Sequence, residues 1–370
     1  MHKYPFFIGT HAPASVPSVY RCEADFGSRT FNTLYAGQGI SDPTYLAGPA
    51  GNILYSIGRS PEGGLVLTMQ LSGPSPFSVA GSLPSGGQGP CHISADPRGE
   101  FLLCANYGSG SVSLYDLSSD GSIRSLCDSR QYSGAGYDFA DRQKGPHAHF
   151  AAFHEVRDEV LVCDLGLDLV HIYELDRAAG KLRDTDRSIR LPDGAGPRHL
   201  IFHKSHPGML FVIAEMANMI FTYRYDGAKD KYEEVQSVSA VVSGPESSEI
   251  SPSDRELMLP ATADNGSIGC AIRFSADGNY LFVSSRLGYQ SISAFRCEPD
   301  GQLRFCSRCL CGGITPRDFN VFEGEGSDYI LVANQDSDLV TALSFDRAAE
   351  KLSLLDMKMA APKPTCILPA

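Results

Sequence analysis

The feature that most constrains the fold of this chain is an internal repeat of about 50 residues. Each copy is a short apolar run that ends on a polar residue, followed by a turn of small polar residues and an alternating strand. The clearest copies are Phe101–Asn106, Val160–Asp164, Leu210–Glu215, Leu281–Arg286 and Ile330–Asn334. With weaker copies at Thr10 and Gly58, their last residues are 48, 48, 58, 51, 71 and 48 positions apart. Seven repeats of this length are typical of the blades of a β-propeller.

The segments between the turns also favour an all-β fold. Asp-Gly and Gly-Ser-Gly turns separate the short runs, and we find no long segment with helical periodicity. Runs that are apolar at every position suit strands buried on both faces, as where blades stack. A pair of β-sandwiches is the alternative, but the sevenfold spacing disfavours it. We therefore predict one domain over residues 1–370, a seven-bladed β-propeller.

A proline precedes most of the apolar runs and is expected to mark the start of a blade's inner strand, where proline is tolerated. These prolines are Pro43, Pro90, Pro146, Pro197, Pro316 and Pro364. In the fifth copy Ala271–Arg273 takes the place of the proline. The copy at Pro364 lies at the C-terminal end of the chain. We expect it to pair with the N-terminal strand near Tyr4–Ile8 and so close the ring.

Composition excludes several classes of function. The net charge of −12 lacks the basic footprint of a nucleic-acid binder or of an anionic-membrane binder. No apolar run approaches the length of a membrane span, and we find no secretory leader. We therefore expect a cytoplasmic protein with no nucleic-acid or membrane partner, whose oligomeric state stays open.

The 11 cysteines are interpreted as free thiols, and Cys306–Cys311 lacks a second ligand pair for zinc. No metal or cofactor is expected.

The propeller geometry predicts where chemistry lies, because the start of each inner strand and the end of the next strand share one face of a propeller. The residues at those positions are His92, His147, His149, Arg198, His199, Arg273, Arg317 and Asp318, with Asn106, Asp164, Glu215, Arg286 and Asn334. Arginines suit a carboxylate or a phosphate, and a histidine near a glutamate can activate water. We find neither a nucleophile elbow nor a phosphate-cradling loop.

Structural roles compete with these functional ones. A histidine at a strand terminus is commonly a hydrogen-bonding residue of the scaffold, as we expect for His154 and His203. Arg198 and Arg273 can instead brace neighbouring blades. Asn106, Asp164 and Asn334 occupy equivalent positions in the repeat and are expected to cap turns. Glu215 departs from that Asn/Asp series, which favours a functional role for it.

Several of these segments carry a family resemblance. They are Gly89–Pro97, Phe101–Val112, Pro146–His149, Gly194–His199, Pro316–Phe319 and Val332–Asp338. Together they resemble the lactonase family of seven-bladed propellers, which includes propeller-type 6-phosphogluconolactonases and fungal carboxy-cis,cis-muconate cyclases. The resemblance implies catalytic roles for His149, Arg198, Glu215 and Arg273. We expect His92, His147, His199 and Arg317 to bind the substrate.

The expected activity is hydrolysis of a sugar-acid lactone, with 6-phospho-glucono-1,5-lactone as the leading substrate and the pentose phosphate pathway as its setting. One alternative is a cyclase that lactonises a carboxylated muconate with the same arginines. The other is a propeller that binds without catalysis. The segment 243–269 is long and rich in Ser, Pro and acidic residues. We expect it to overhang the site ahead of Arg273 and to influence substrate preference.

Overall fold

The computed structural model describes residues 3–72, 76–138, 141–241 and 266–370. These residues form 28 β-strands in seven four-stranded sheets, and they contain a single 3-10 turn over Gln335–Ser337 but no α-helix. Within the described ranges no helix is long and apolar enough to cross a membrane. The fold is a seven-bladed β-propeller, as the repeat predicts.

Each sheet is one blade, and six of the seven blades use four consecutive strands. Blade 1 contains β4 (Leu46–Ala50), β5 (Ile53–Ser60), β6 (Gly63–Gln70) and β7 (Val79–Pro84). Blade 2 contains β8 (Pro90–Ala95), β9 (Phe101–Asn106), β10 (Ser111–Leu117) and β11 (Ile123–Gln131). Blade 3 contains β12 (Ala148–Phe153), β13 (Glu159–Asp164), β14 (Leu169–Asp176) and β15 (Lys181–Arg190). Blade 4 contains β16 (Pro197–His203), β17 (His206–Ala214), β18 (Met219–Asp226) and β19 (Lys231–Ser239).

The remaining blades complete the chain. Blade 5 contains β20 (Ile268–Phe274), β21 (Tyr280–Arg286), β22 (Ser291–Cys297) and β23 (Leu303–Leu310). Blade 6 contains β24 (Pro316–Glu323), β25 (Ser327–Asn334), β26 (Leu339–Asp346) and β27 (Lys351–Ala360). Blade 7 contains β28 (Pro364–Pro369), β1 (Tyr4–Thr10), β2 (Val19–Asp25) and β3 (Thr30–Gly37). In blade 7 the C-terminal strand pairs with the N-terminal one, which confirms the predicted closure.

The prolines mark the strand starts only in part. Four of them open a strand as predicted: Pro90, Pro197, Pro316 and Pro364. The predicted start is wrong at Pro146, because the His147 amide donates to the Asp164 side chain and the strand begins at Ala148. It is also wrong at Pro43, where Thr44 donates back to Asp42 in a turn and β4 begins at Leu46. In blade 5 the strand begins at Ile268, so Ala271 lies inside it.

The chain forms two compact units. The N-terminal unit consists mainly of Thr33–Arg198, with Phe7–Arg21, and the C-terminal unit mainly of His199–Pro369, with Cys22–Asn32 and the segment ending at Phe6. Each unit has cores between neighbouring sheets. In β9 of the N-terminal unit, Leu102 and Cys104 pack in one cluster and Leu103 and Ala105 in another. A strand buried on both faces needs no polar alternation, which accounts for the continuous apolar runs. The single domain stays a prediction.

Candidate active site

The eight residues expected at the site are divided between the two units. His92, His147, His149 and Arg198 belong to the N-terminal unit, and His199, Glu215, Arg273 and Arg317 belong to the C-terminal unit. All eight lie in or next to one of the first two strands of a blade. Within each unit, the register and the side-chain contacts determine what these residues can do.

A β-bulge near the start of the inner strand fixes the position of His149. In β12, Ala148 pairs with Asp164 and Phe150 with Cys163, so His149 is the extra residue between them. The same bulge places Arg317 in β24 of the C-terminal unit, between Pro316 and Asp318. A bulge bends the strand and re-aims the side chain, and such bulges are enriched beside active sites. His149 and Arg317 therefore occupy equivalent, re-aimed positions of the repeat.

Two histidines of blade 3 are arranged around Tyr107. His147 stacks on the Tyr107 ring at 4.3 Å with an interplanar angle of 12°. His149 meets the same ring edge-on at 5.6 Å and is 4% exposed. The Arg142 guanidinium lies 3.4 Å from the Tyr107 hydroxyl. This cluster puts two imidazoles and a guanidinium around one phenol ring, and sequence reasoning does not single out Tyr107 or Arg142.

His147 is held in a defined tautomer. Its Nδ1 lies 2.9 Å from the Tyr107 carbonyl oxygen, which can only accept a hydrogen bond. Nδ1 therefore carries the proton in the neutral ring, and Nε2 carries the lone pair. The backbone amide of His147 donates to Asp164 at 2.8 Å. Asp164 also accepts from the amides of Gly166 and Leu167, so it caps a turn as predicted.

His92 packs between aromatic rings. Its ring is 4.4 Å from the Tyr45 ring and 3.9 Å from the Phe150 ring, and the residue is 2% exposed. Its Nδ1 accepts a long hydrogen bond from the amide of Ala151 at 3.4 Å. These contacts fix the orientation of the His92 ring. Its substrate-binding role stays a prediction.

Arg198 and His199 are consecutive residues at the start of β16, and both are buried. A buried guanidinium keeps its charge and requires oxyanion or carbonyl partners. The position of Arg198 therefore depends closely on the backbone that leads into β16.

In the C-terminal unit, Glu215 forms an ion pair with Arg286. Glu215 Oε1 lies 3.1 Å from Arg286 Nη2, and the glutamate side chain is 1% exposed. The Glu215 carbonyl also accepts from the Gly269 amide at 2.9 Å. A Cβ at Gly269 would lie 2.8 Å from the Ala214 carbonyl oxygen, so this approach of two strands requires glycine. The backbone around Glu215 is thereby fixed as tightly as its carboxylate.

The register corrects the interpretation of Glu215 as an equivalent of Asn106, Asp164 and Asn334. Each of those three residues pairs with the residue five positions later, across the hairpin that follows it. In blade 4 the residue that pairs in this way is Ala214, with Met219. Glu215 is thus one position beyond the series. A shift of one residue turns a side chain to the other side of a strand, which separates Glu215 from the turn-capping residues.

A second ion pair of the C-terminal unit joins Arg273 to Asp318. Arg273 Nη2 lies 2.8 Å from Asp318 Oδ1, and the other carboxylate oxygen accepts from the amide of Ile367 in β28 at 3.0 Å. Arg273 Nη1 also donates to the carbonyl of Ile272. Asp318 is 1% exposed and therefore anchors Arg273 from inside the protein. Arg317, the neighbouring bulge residue, is half-buried.

Sequence reasoning notes Arg286 and Asp318 among the polar residues of the repeat but does not choose them as site residues. The structure shows that each forms an ion pair with a chosen residue, Arg286 with Glu215 and Asp318 with Arg273. The signal that could have found them is a change of residue type within the repeat, since Arg286 is a cation where other copies carry Asn, Asp or Glu, and Asp318 is an acid where His92 and His199 stand in others. Most of the long segment 243–269 lies outside the described residues, because 242–265 are not included.

Other candidate sites lie away from these residues. A cleft of about 950 Å³ in the N-terminal unit is lined by turns of blades 1 to 3, and none of the eight expected residues lines it. Its Arg177 is already paired with Asp96, Glu100 and Asp158. Among the described residues, no group of three or more His, Cys, Asp and Glu side chains is arranged to hold a metal ion. The residues at the strand ends therefore stay the candidate site residues.

The comparisons with known proteins extend over nearly the whole chain. A 6-phosphogluconolactonase of Bacillus subtilis is 29% identical over 370 residues, with 99% of this chain and 98% of the relative covered. A crystal structure of a Lactobacillus plantarum protein has a TM-score of 0.84 at 27% identity, with 99% of each chain covered. A Pseudomonas aeruginosa periplasmic gluconolactonase has a TM-score of 0.85 at 22% identity, which shows the shared fold. The sequence model of the 7-bladed β-propeller lactonases matches residues 5–369, and the chain belongs to this lactonase family of enzymes.

Proposed function

We propose that the protein hydrolyses a sugar-acid lactone and that 6-phospho-glucono-1,5-lactone is its substrate. The observation that carries the proposal is the end-to-end similarity to the Bacillus subtilis 6-phosphogluconolactonase, which leaves no blade unmatched at 99% coverage. The charged residues support it, because a guanidinium fork binds phosphate or carboxylate oxygens in pairs. Arg198, Arg273 and Arg317 are the arginines that the family resemblance and the repeat assign to this task.

The proposed reaction is the addition of water to the lactone carbonyl. A general base, His149 or Glu215, takes one proton from the water while its oxygen forms a bond to the carbonyl carbon. The carbonyl electrons move to its oxygen, and an arginine stabilises that oxyanion. When the oxyanion collapses, the bond from the carbon to the ring oxygen breaks, and the protonated base returns its proton to that oxygen. The product is the open hydroxy acid, which releases one proton as the carboxylate forms.

The substrate is tested by measuring hydrolysis of freshly generated 6-phosphogluconolactone and of unphosphorylated gluconolactone. We expect the wild-type protein to accelerate hydrolysis of the phosphorylated lactone above its spontaneous rate. The Arg198→Ala variant should lose at least about 100-fold in kcat/KM, as for removal of an oxyanion-stabilising group. Arg183→Ala is the matched control, since that arginine of the same unit has a side chain 61% exposed.

Two results would contradict the proposal. Equal acceleration of both lactones would mean that the enzyme does not recognise the phosphate group and is a general sugar lactonase. No acceleration of either lactone would favour the muconate cyclase or the binding propeller.

The cytoplasmic location is part of the same proposal, because a phosphorylated sugar lactone is formed and consumed where phosphorylated sugars are retained.

A further inference from the structure

A buried aspartate organises the turn that leads into Arg198. Asp168 lies in the hairpin between β13 and β14, has a left-handed φ of 55° and is 1% exposed. Its Oδ1 accepts hydrogen bonds from the Gly196 amide at 2.7 Å and from Gln143 Nε2 at 2.8 Å. Its Oδ2 accepts from the Gly194 amide at 2.8 Å. Both carboxylate oxygens are thus used to hold neighbouring loops of the N-terminal unit.

The loop that Asp168 holds determines how the chain enters β16. Gly194 and Gly196 have left-handed φ values of 77° and 65°, and Pro197 and Arg198 follow directly. Hydrogen bonds from backbone amides to a carboxylate are charge-assisted and strong. Gln143, which is fully buried, also donates to the carbonyl of Leu165. The turn two residues ahead of Arg198 is therefore fixed by a side chain from the preceding hairpin.

A related contact, with one hydrogen bond from the loop instead of two, occurs in two blades of the C-terminal unit. Gln290, four residues after the end of β21, accepts from the amide of Thr315 at 2.8 Å, just ahead of β24. Asp338, four residues after the end of β25, accepts from the amide of Lys363 at 2.7 Å, just ahead of β28. Neither the family resemblance nor the repeat assigns a site residue to the start of β28. Asp338 therefore offers a natural control for Asp168.

We propose that Asp168 is a positioning residue that holds Arg198 in its substrate-binding orientation, a role that rests on the proposed function of Arg198. Arg198 is 2% exposed, so close packing limits the conformations open to its side chain, and a shift of the backbone at the start of β16 shifts the side chain with it. Without the carboxylate, the two glycines of the turn can adopt other conformations, since glycine has little intrinsic preference. A displacement of about 1 Å in a binding group is enough to cost about 100-fold in rate.

The kinetic test compares Asp168→Ala with Asp338→Ala, each alone and combined with Arg198→Ala. We expect Asp168→Ala to lower kcat/KM for 6-phosphogluconolactone by about 10- to 100-fold, mainly through KM. In the Arg198→Ala background, Asp168→Ala should lower kcat/KM by less than about threefold, because the guanidinium that Asp168 positions is absent. Asp338→Ala, which removes the corresponding loop contact from an exposed aspartate, should keep kcat/KM within about twofold of the wild-type value. If the fold-losses in kcat/KM of Asp168→Ala and Arg198→Ala multiply in the double variant, the two residues act independently and the proposal is overturned.

A structural readout separates this proposal from the proposed function. Crystal structures of Asp168→Asn and Asp338→Ala should show Arg198 displaced in the first variant and unmoved in the second. Asp168→Asn keeps the shape of the side chain but replaces one acceptor oxygen by an NH2 group, which cannot accept from the loop, so it also serves if Asp168→Ala does not fold. An unmoved Arg198 in Asp168→Asn would overturn the positioning role even if the wild-type enzyme hydrolyses the lactone. If the wild-type enzyme has no lactonase activity, the proposed function fails, and displacement of Arg198 still decides the role of Asp168.

Discussion

At the scale of single residues, the C-terminal unit keeps charge inside the fold by pairing it. Glu215 with Arg286 and Asp318 with Arg273 are each an almost fully buried carboxylate against a partly buried guanidinium. Removing one partner of a buried ion pair typically costs about 3–5 kcal/mol, whereas the intact pair adds little net stability. An intact buried ion pair is therefore weak evidence that its two residues serve to stabilise the fold. At these strand ends, the role that we propose for each pair is to orient its charge toward the substrate.

Glu215→Gln tests whether this carboxylate takes part in proton transfer. The amide keeps the shape and can still accept a hydrogen bond from Arg286, but it cannot accept a proton. We expect kcat for lactone hydrolysis to fall by about 100-fold or more, because proton transfer by a positioned side chain contributes about 10²–10⁴-fold. Asp318→Asn is the matched control, because it neutralises the other paired carboxylate of the unit and should raise KM with a much smaller effect on kcat. Unchanged turnover in Glu215→Gln would leave His149 as the only assigned base.

At the scale of secondary-structure elements, the apolar runs predict the strands well because each run is buried on both faces. Tyr280 and Phe282 of β21 pack toward one cluster and Leu281 and Val283 toward another. Repeat spacing then predicts the number of blades. The ends of the strands are harder, since they depend on side chains that replace the ladder hydrogen bonds, as Asp164 does for the amide of His147. A sequence repeat does not encode that replacement.

The sequence predicts only part of the site, because the partners of the site residues, like the strand ends, depend on side-chain contacts that the repeat does not encode. His154 and His203 cap turns as expected, each accepting at Nδ1 from an amide two residues later. Residue types and repeat position select the histidines and arginines, but the partner of each depends on contacts between distant segments. The Asp168 to Gly194 bond spans 26 residues, and the Glu215 to Arg286 pair spans 71. Neither pairing leaves a local pattern in the sequence.

The closing strand β28 gives a prediction at this scale. Cys366 and Ile367 of β28 are 2% and 1% exposed, and the strand covers the edge of β1. Removing residues 364–370 would expose that edge together with the apolar surface beneath it, and an open edge promotes aggregation. We expect the truncated chain to lose more than about 10 °C in Tm or to become insoluble. Removal of exposed Ala370 alone is the control, and a truncated chain with the wild-type Tm would contradict the role of β28 in ring closure.

At the scale of the whole molecule, double-sided burial of the strands determines the behaviour of the thiols. All 11 cysteines are free, six of them buried and five half-buried. Burial raises the pKa of Cys104 and Cys163 well above the usual range and that of Cys311 to about 12. It also raises the pKa of Cys297 to about 12. Because the thiolate is the reactive form, these groups are protected by protonation as well as by packing.

A thiol titration therefore reports on the integrity of the entire fold. At pH 8 the native protein should react with an aromatic disulfide reagent within minutes at no more than the five half-buried cysteines, and the denatured protein at all 11. Most of the native reaction should be slow, because opening a blade core has to precede thiolate formation at the six buried positions. Eleven thiols reacting at the denatured rate in the native protein would contradict the double-sided burial. Fewer than 11 in denaturant without reductant would instead reveal disulfides and place the protein in an oxidising compartment, against the cytoplasmic location proposed for it.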